Sequence, residues 1–389
     1  LNTAGTTKTT PNTYDYQLVQ DKDEFLALCK HLAGFDLLGV DFEGEWNLHR
    51  YGLHLCLAQV SDGKDIYLID PLAVGDLDPF LTILENPEIN IISHGPQSDI
   101  VLLDYLFGRR PTSVFDTEKA GQLLGYESTS LSGMLDRHFG MQKNMKVRVS
   151  DWNKRPLSEK MLRYAAMDVA YLHTLKERLI GELEEKGRLN WHTEECKALE
   201  SIRYKKKANP HLDIQRANKL NPRQSHVLKN LYEARDWLAR ELDKPAYYII
   251  PNARLVELAS DPPETVRAWT ELKGVNPRVK RHAKIFQQAV YDAFNSDPDP
   301  VPSSLRGNRK GMSKNAFFRQ VDRRMQVLEA IRDQIKVDYD IYPMILSMKN
   351  LKRVAYGEAT LDDFREWQKN IVVEKARELK LDLSVLSDA

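Results

Sequence analysis

Between residues 36 and 69 the chain carries three short runs of strand-forming residues: 36–42 (DLLGVDF), 53–60 (LHLCLAQV) and 65–69 (DIYLI). Ser61-Asp62-Gly63-Lys64 is a tight-turn sequence, so the last two runs predict a hairpin. Residues 79–85 predict a helix, 89–93 (INIIS) a buried strand, and 98–107 a helix directly after that strand. From there the pattern is helical and closes in a long stretch, with Ser158 as its N-cap, running to about residue 185. Antiparallel strands first and strand–helix alternation next predict an α/β domain: a mixed sheet with flanking helices.

The pattern then changes. Residues 201–222 are basic and nearly free of apolar periodicity, which predicts a linker. Residues 227–294 are helical in pattern, broken at Lys244-Pro245, Asp261-Pro262-Pro263 and Gly274. Asp297-Pro298-Asp299-Pro300-Val301-Pro302 predicts a stiff Pro-rich connection, and a basic run over 305–310 ends it. A second helical unit fills about 315–381, with a similar layout of a long first helix, a Pro-marked turn (Pro245, Pro343), short helices and a closing helix. The expected division is a disordered Thr/Asn-rich tail at 1–13, an α/β domain at 14–200 and a basic linker at 201–222. An all-α domain at 223–296, a Pro-rich and basic linker at 297–311 and a second helical domain at 312–389 complete it.

Charge sharpens this division. The net charge of the chain is zero, yet residues 1–200 carry a net −10 and residues 201–389 a net +10. An acidic half joined to a basic half suits a carboxylate-rich metal site with a polyanion-binding appendage, or simply two solvated surfaces. No run of 18 apolar residues exists, so no membrane span is expected. The three cysteines, Cys29, Cys56 and Cys196, are widely spaced with no CxxC, which argues against a disulfide framework and for a reducing, cytoplasmic setting. No GxxxxGK[ST] occurs, and Gly63-Lys64-Asp65 lacks both the Gly-rich loop and the hydroxyl, so ATP use is not expected.

The candidate chemistry is acidic. Asp41 and Glu43 stand two apart at the end of a predicted strand, so both carboxylates face one side of the sheet beside apolar Leu37, Leu38, Val40 and Phe42. Like charges there repel and lose hydration unless a cation neutralises them. Asp99 opens a helix just after the strand 89–93, where it reads equally as a carboxylate favoured by the helix dipole. Tyr164 and Asp168 are four apart on one helix face, flanked by small Ala165 and Ala166, which lets a metal or a phosphate approach closely. His94 is read as structural.

In this order (D-x-E on a strand, Asp at a strand–helix junction, Y-x-x-x-D on a later helix) the residues resemble the three motifs of the DEDDy, DnaQ-like exonucleases. The stretch Ser150-Asp151-Trp152-Asn153-Lys154-Arg155-Pro156-Leu157 before Tyr164–Leu172 is similar to the RNase D branch of that superfamily, and Phe115-Asp116-Thr117 and Gln59 fall where that branch has an acidic DT and a strand Gln. The resemblance, over about residues 20–185, implies an RNase H-like fold and 3′→5′ hydrolysis with two divalent ions held by Asp41, Glu43, Asp99 and Asp168. It implies that Asp41 bridges the ions, that Glu43 and Asp168 complete the site holding the attacking water, and that Asp99 supports the second ion. The resemblance also implies that Tyr164 orients the water. Mg²⁺ or Mn²⁺ is implied over Zn²⁺ because no Cys/His ligand set accompanies the carboxylates.

Residues 227–294 resemble an HRDC domain, through Leu231–Pro245, Ile249-Ile250-Pro251-Asn252 and Gly274. The second unit, with Asp340-Ile341-Tyr342-Pro343, resembles a degenerate second copy. Candidate phosphate contacts are Arg203, Lys205, Lys206 and Lys207; Arg278, Lys280, Arg281 and Lys284; and Arg306, Arg309 and Lys310. The implied partner is RNA with single-stranded 3′ ends, including tRNA precursors, trimmed to nucleoside 5′-monophosphates. A DNA 3′→5′ exonuclease, or a nucleic-acid-binding scaffold with an inactive nuclease domain, are the alternatives.

Overall fold

The computed structural model describes residues 15–143, 145–298 and 313–387. The expected N-terminal tail, most of the Pro-rich linker, and Arg306, Arg309 and Lys310 lie outside the described residues.

The first part is a six-stranded mixed sheet in the order β1-β4-β3-β2-β5-β6, formed by β1 (Gln17–Val19), β2 (Leu37–Trp46), β3 (Leu53–Ser61), β4 (Ile66–Ile69), β5 (Asn90–Ser93) and β6 (Val114–Asp116). The hairpin predicted around Gly63 joins antiparallel β3 and β4, and β2 lies antiparallel to β3 and parallel to β5. Before residue 36, where the strand pattern begins, the structure adds β1 and the helix Lys22–Leu32, which the pattern does not predict as elements. β6 also interrupts a stretch that reads as helical. Strands of three residues carry too little periodicity to be read from sequence; their pairing partners define them.

β2 runs four residues past its predicted end because it pairs with β3 across an irregularity between Glu43 and Gly44. A side chain at Gly44 would stand 2.7 Å from Leu102 Cδ2 and 2.9 Å from Trp46 Nε1, so the Leu102 side chain of the helix Gln97–Phe107 or the Trp46 ring would have to shift to admit one. The long helix predicted from Ser158 is two helices, Glu159–Ala170 and Leu172–Glu185, broken at Tyr171. Ser158 does cap the first, its side chain accepting from the Met161 N–H. The break turns Leu172 onto β2, where a Cβ at Gly39 would lie 3.3 Å from the Leu172 Cβ. Fully buried Ala165 and Ala166 let the first helix lie close to the sheet.

The helical half begins with Pro222–Glu241, entered through a capping box of Asn221 and Gln224. Its core gathers Val227, Leu231, Leu238, Trp269 and Phe286. Ile214 and Ala217 are buried in the same core, so the end of the segment expected as a linker is part of this unit. The final unit, opened by the 25-residue helix Lys314–Asp338, shares a continuous apolar core with the first domain. Trp367 stacks on Trp191 at 4.8 Å and donates to Glu195, and Asp340 is held by Arg188 and Lys186. The first helical unit grips the connection between β2 and β3: Tyr51 donates to Asp236, Arg50 pairs with Asp243, and Tyr247 donates to the Leu48 carbonyl. The modules are packed on the α/β domain rather than strung beside it.

Candidate active site

Asp41 and Glu43 lie on β2, the strand between antiparallel β3 and parallel β5. The Ser93 hydroxyl donates to the Val40 carbonyl at 2.7 Å and fixes the register of β5 beside Asp41. Asp168 and Tyr164 stand one turn apart on the helix Glu159–Ala170 that covers this face, and Asp99 is in the first turn of the helix after β5. The carboxylate oxygens of Asp41, Glu43 and Asp168 come within 4.8 Å of one another. Asp99 stands outside that mutual distance but close enough for the charge of Asp41 to act on it.

Three acids in one recess cannot all ionise cheaply. Burial pushes the Asp41 carboxyl up to about 6, against the pull of Lys143. Burial and the charge of Asp41 hold Glu43 well above the usual carboxylate range, and the same two causes raise Asp99. Asp168 is 5% exposed, and its Oδ2 is buried without a hydrogen-bond partner. An orphaned buried oxygen beside two more carboxylates is a donor set that fits a hard divalent cation. Tyr164 is buried, and desolvation, then Glu43 and Asp41, raise its pKa, so the phenol is protonated at neutral pH and is a hydrogen-bond group, not a base.

Sequence reasoning missed Lys143. Its ammonium pairs with Asp168 Oδ1 and lies 3.6 Å from the centre of the Tyr164 ring. Nothing in its neighbourhood marks it, since its partner is 25 residues away. Arg155 lies within the stretch 150–157, where sequence reasoning gives it no role: its guanidinium makes two 2.7 Å bonds to buried Asp70 and bonds the Cys56 and Trp152 carbonyls. The residues Glu45, His49 and Asp151 gather near the end of β2, where Glu45 takes the Leu48 and His49 N–H groups and faces the His49 ring.

Asp116 caps the helix Thr117–Leu124 and accepts the Gly95 N–H at 2.8 Å, which holds the turn leading to Asp99. Gln59 is fully buried opposite Asp41 in the β2–β3 register, and neither of its amide atoms has a partner. His94 shares a 2.9 Å hydrogen bond with Thr117, and burial pulls its pKa down to about 4, so it is a neutral structural group at pH 7. Arg203, Lys205, Lys206, Lys207, Arg278, Arg281 and Lys284 are exposed, and Lys280 is half-buried. They lie on the connection after the first domain and on the first helical unit, not in the carboxylate recess.

Residues 16–184 match the family described as 3′-5′ exonuclease, and residues 224–290 match the HRDC domain. Ribonuclease D of Shewanella sp. strain ANA-3 is 30% identical over 309 residues, which covers 77% of this chain and 79% of the relative. The chain belongs to the ribonuclease D family. Ribonuclease D of Escherichia coli strain K12 is 28% identical over 294 residues, 75% of this chain and 78% of the relative. The crystal structure of Escherichia coli RNase D has the same fold, with a TM-score of 0.70 and 22% identity over 94% of this chain and 99% of that one. As in that family, an RNase H-like exonuclease domain precedes a helical HRDC region, and the protein is a metal-dependent 3′→5′ exoribonuclease. Neither a DNA-directed exonuclease nor an inactive scaffold is favoured by these relatives. Among the described residues, no helix is long and apolar enough to cross a membrane.

Proposed function

We propose that this ribonuclease trims the 3′ ends of structured RNA, tRNA precursors among them, and releases nucleoside 5′-monophosphates at a site that takes two Mg²⁺ or Mn²⁺ ions. The observation that carries this reading is the convergence of Asp41, Glu43 and Asp168 within 4.8 Å, with Tyr164 one helical turn from Asp168. Asp41, Glu43 and Asp168 would hold one ion and Asp41 with Asp99 the second. Bound divalent ions supply Lewis acidity for the attacking water and neutralise charge on the phosphate. The chain's own groups supply position. The two strand carboxylates and Asp168 set where the scissile phosphate sits, and the Tyr164 hydroxyl orients the water without taking its proton.

The division of labour is supported by charge. Exposed Arg203, Lys205, Lys206, Lys207, Arg278, Arg281 and Lys284, with half-buried Lys280, would hold RNA phosphates, as would Arg306, Arg309 and Lys310 beyond the described residues. The second helical unit follows the element order of the first, which supports reading it as a degenerate HRDC copy.

The decisive test incubates the protein with matched RNA and DNA oligomers in Mn²⁺ and identifies the products. RNA shortened from its 3′ end to 5′-monophosphates is expected; 5′-end trimming or preferential DNA cleavage refutes the proposal. Tyr164→Phe is expected to slow turnover roughly tenfold, about 1.4 kcal/mol of barrier, with Mn²⁺ affinity little changed. An unchanged rate at saturating substrate returns Tyr164 to a packing role. Replacing Arg278, Arg281 and Lys284 together by Gln is expected to weaken structured-RNA binding. The slope of log K against log salt should fall by roughly 0.7–0.9 for each phosphate that is no longer neutralised. Identical slopes for variant and wild type exclude this face from the RNA path.

A further inference from the structure

Lys143 occupies a peculiar position. Its side chain is 5% exposed, its ammonium pairs with Asp168 Oδ1, and the Tyr164 ring covers it at 3.6 Å from the ring centre. It also acts electrostatically on Asp41 and Glu43, the other two members of the carboxylate cluster. A single positive charge therefore sits inside the group of oxygens that would hold a divalent ion, bonded to one of them. A buried, unpaired carboxylate cluster is costly, and an internal ammonium offsets that cost. The same Asp168 oxygen cannot be bonded to the ammonium and offered fully to an ion, because cations at one oxygen repel each other.

The backbone permits an exchange. Lys143 is on neither helix nor strand: it lies on the connection between the helix Leu131–Phe139 and the short 3₁₀ turn Met145–Val147. Its ammonium is carried on a flexible four-carbon stem. Withdrawing it breaks no ladder or helix hydrogen bond.

We propose that Lys143 is a resident cation of the metal-free protein, which neutralises the Asp41–Glu43–Asp168 cluster and is expelled when divalent metal binds. The proposal rests on the metal reading above. Its consequence is a competition: the apparent metal affinity is the intrinsic affinity reduced by the fraction of molecules in which Lys143 is already out. Loading is thereby linked to the position of the connection that carries Lys143. The lysine acts here through the carboxylates, not on the RNA.

Two measurements on the full-length protein test it. The first is Mn²⁺ binding, followed by calorimetry and by the electron paramagnetic resonance of free Mn²⁺, for wild type, Lys143→Met, Lys143→Arg and Asp41→Asn. Lys143→Met, similar in length and uncharged, is expected to bind Mn²⁺ roughly tenfold more tightly, since a hydrogen bond between charged groups is worth about that much. Lys143→Arg keeps the charge and is expected to bind no more tightly than wild type. The second is acetylation of lysines read peptide by peptide by mass spectrometry, which needs no variant. Lys143 is expected to be protected in EDTA and modified several times faster in Mn²⁺, while exposed lysines such as Lys205 do not change. Mn²⁺ binding that is normal in wild type but no tighter in Lys143→Met overturns the exchange alone, as does Lys143 acetylation indifferent to Mn²⁺. Mn²⁺ binding that survives Asp41→Asn unchanged overturns the metal reading and the exchange with it.

Discussion

Asp41→Asn and Asp168→Asn each lower turnover by at least about a hundredfold, close to 2.7 kcal/mol of barrier, with circular dichroism unchanged. The two side chains reach the site from different elements, β2 and the helix Glu159–Ala170, yet their oxygens come within 4.8 Å of each other and of Glu43. An amide keeps the shape of the carboxylate and removes the charge that a hard cation requires. The expected effects on the fold differ between the two. Burial lifts the Asp41 pKa to about 6, so its charge at pH 7 costs the metal-free fold stability, and Asp41→Asn should leave that fold at least as stable. Asp168→Asn loses the pair with Lys143 and should be modestly less stable without metal. Steady-state hydrolysis of an RNA oligomer, alongside thermal unfolding in EDTA, reads both effects. Either variant keeping more than about a tenth of wild-type turnover, roughly 1.4 kcal/mol, would falsify its assignment as a ligand.

Arg155→Met is expected to destabilise the exonuclease domain by about 3–5 kcal/mol, because it strands a buried carboxylate. Asp70 is 1% exposed, and Arg155 gives it two of its hydrogen bonds; Gln20 and the Leu72 N–H supply others. The same guanidinium bonds the Cys56 and Trp152 carbonyls, tying the segment before Tyr164 to β3. Burial acts to raise the Asp70 pKa, but the hydrogen bonds from Arg155 and Gln20 outweigh it, and the net shift is downward. A depressed carboxyl contributes stability above its unfolded pKa of about 4 and loses it as pH falls through the folded value. In the variant the bonds from Gln20 and the Leu72 N–H remain but the guanidinium no longer opposes burial, which favours the neutral acid, so acidification narrows the gap between the two proteins. Urea unfolding at pH 7 and near pH 4 measures this. A difference under about 1 kcal/mol at pH 7, within the range of surface pairs, or a gap that widens in acid, would show that Asp70 does not depend on Arg155.

How much of this was legible beforehand depended on the range of the interaction. β3, the hairpin around Gly63, β5 and the capped start of the helix at Ser158 were readable because each is written in adjacent residues. The site carboxylates were readable as well, since a spacing of two on a strand and of four on a helix each puts a pair on one face. The three-residue strands β1 and β6 were not, and neither was the break at Tyr171, which brings Leu172 against Gly39 of a distant strand.

By itself, then, the sequence determined the local elements, the acidic and basic halves, and the order of the D-x-E, Asp and Y-x-x-x-D motifs, because periodicity, capping and charge are properties of near neighbours. The tertiary structure alone decided that Asp41, Glu43 and Asp168 share one recess and that Lys143 enters it. It also decided that Arg155 neutralises Asp70, and that the helical units pack on the exonuclease domain through Trp367, Asp340 and Tyr247. Each of these joins parts of the chain 25 or more positions apart. Such meetings depend on how the sheet and helices are stacked, and burial then gives them their strength by removing the water that would otherwise screen them.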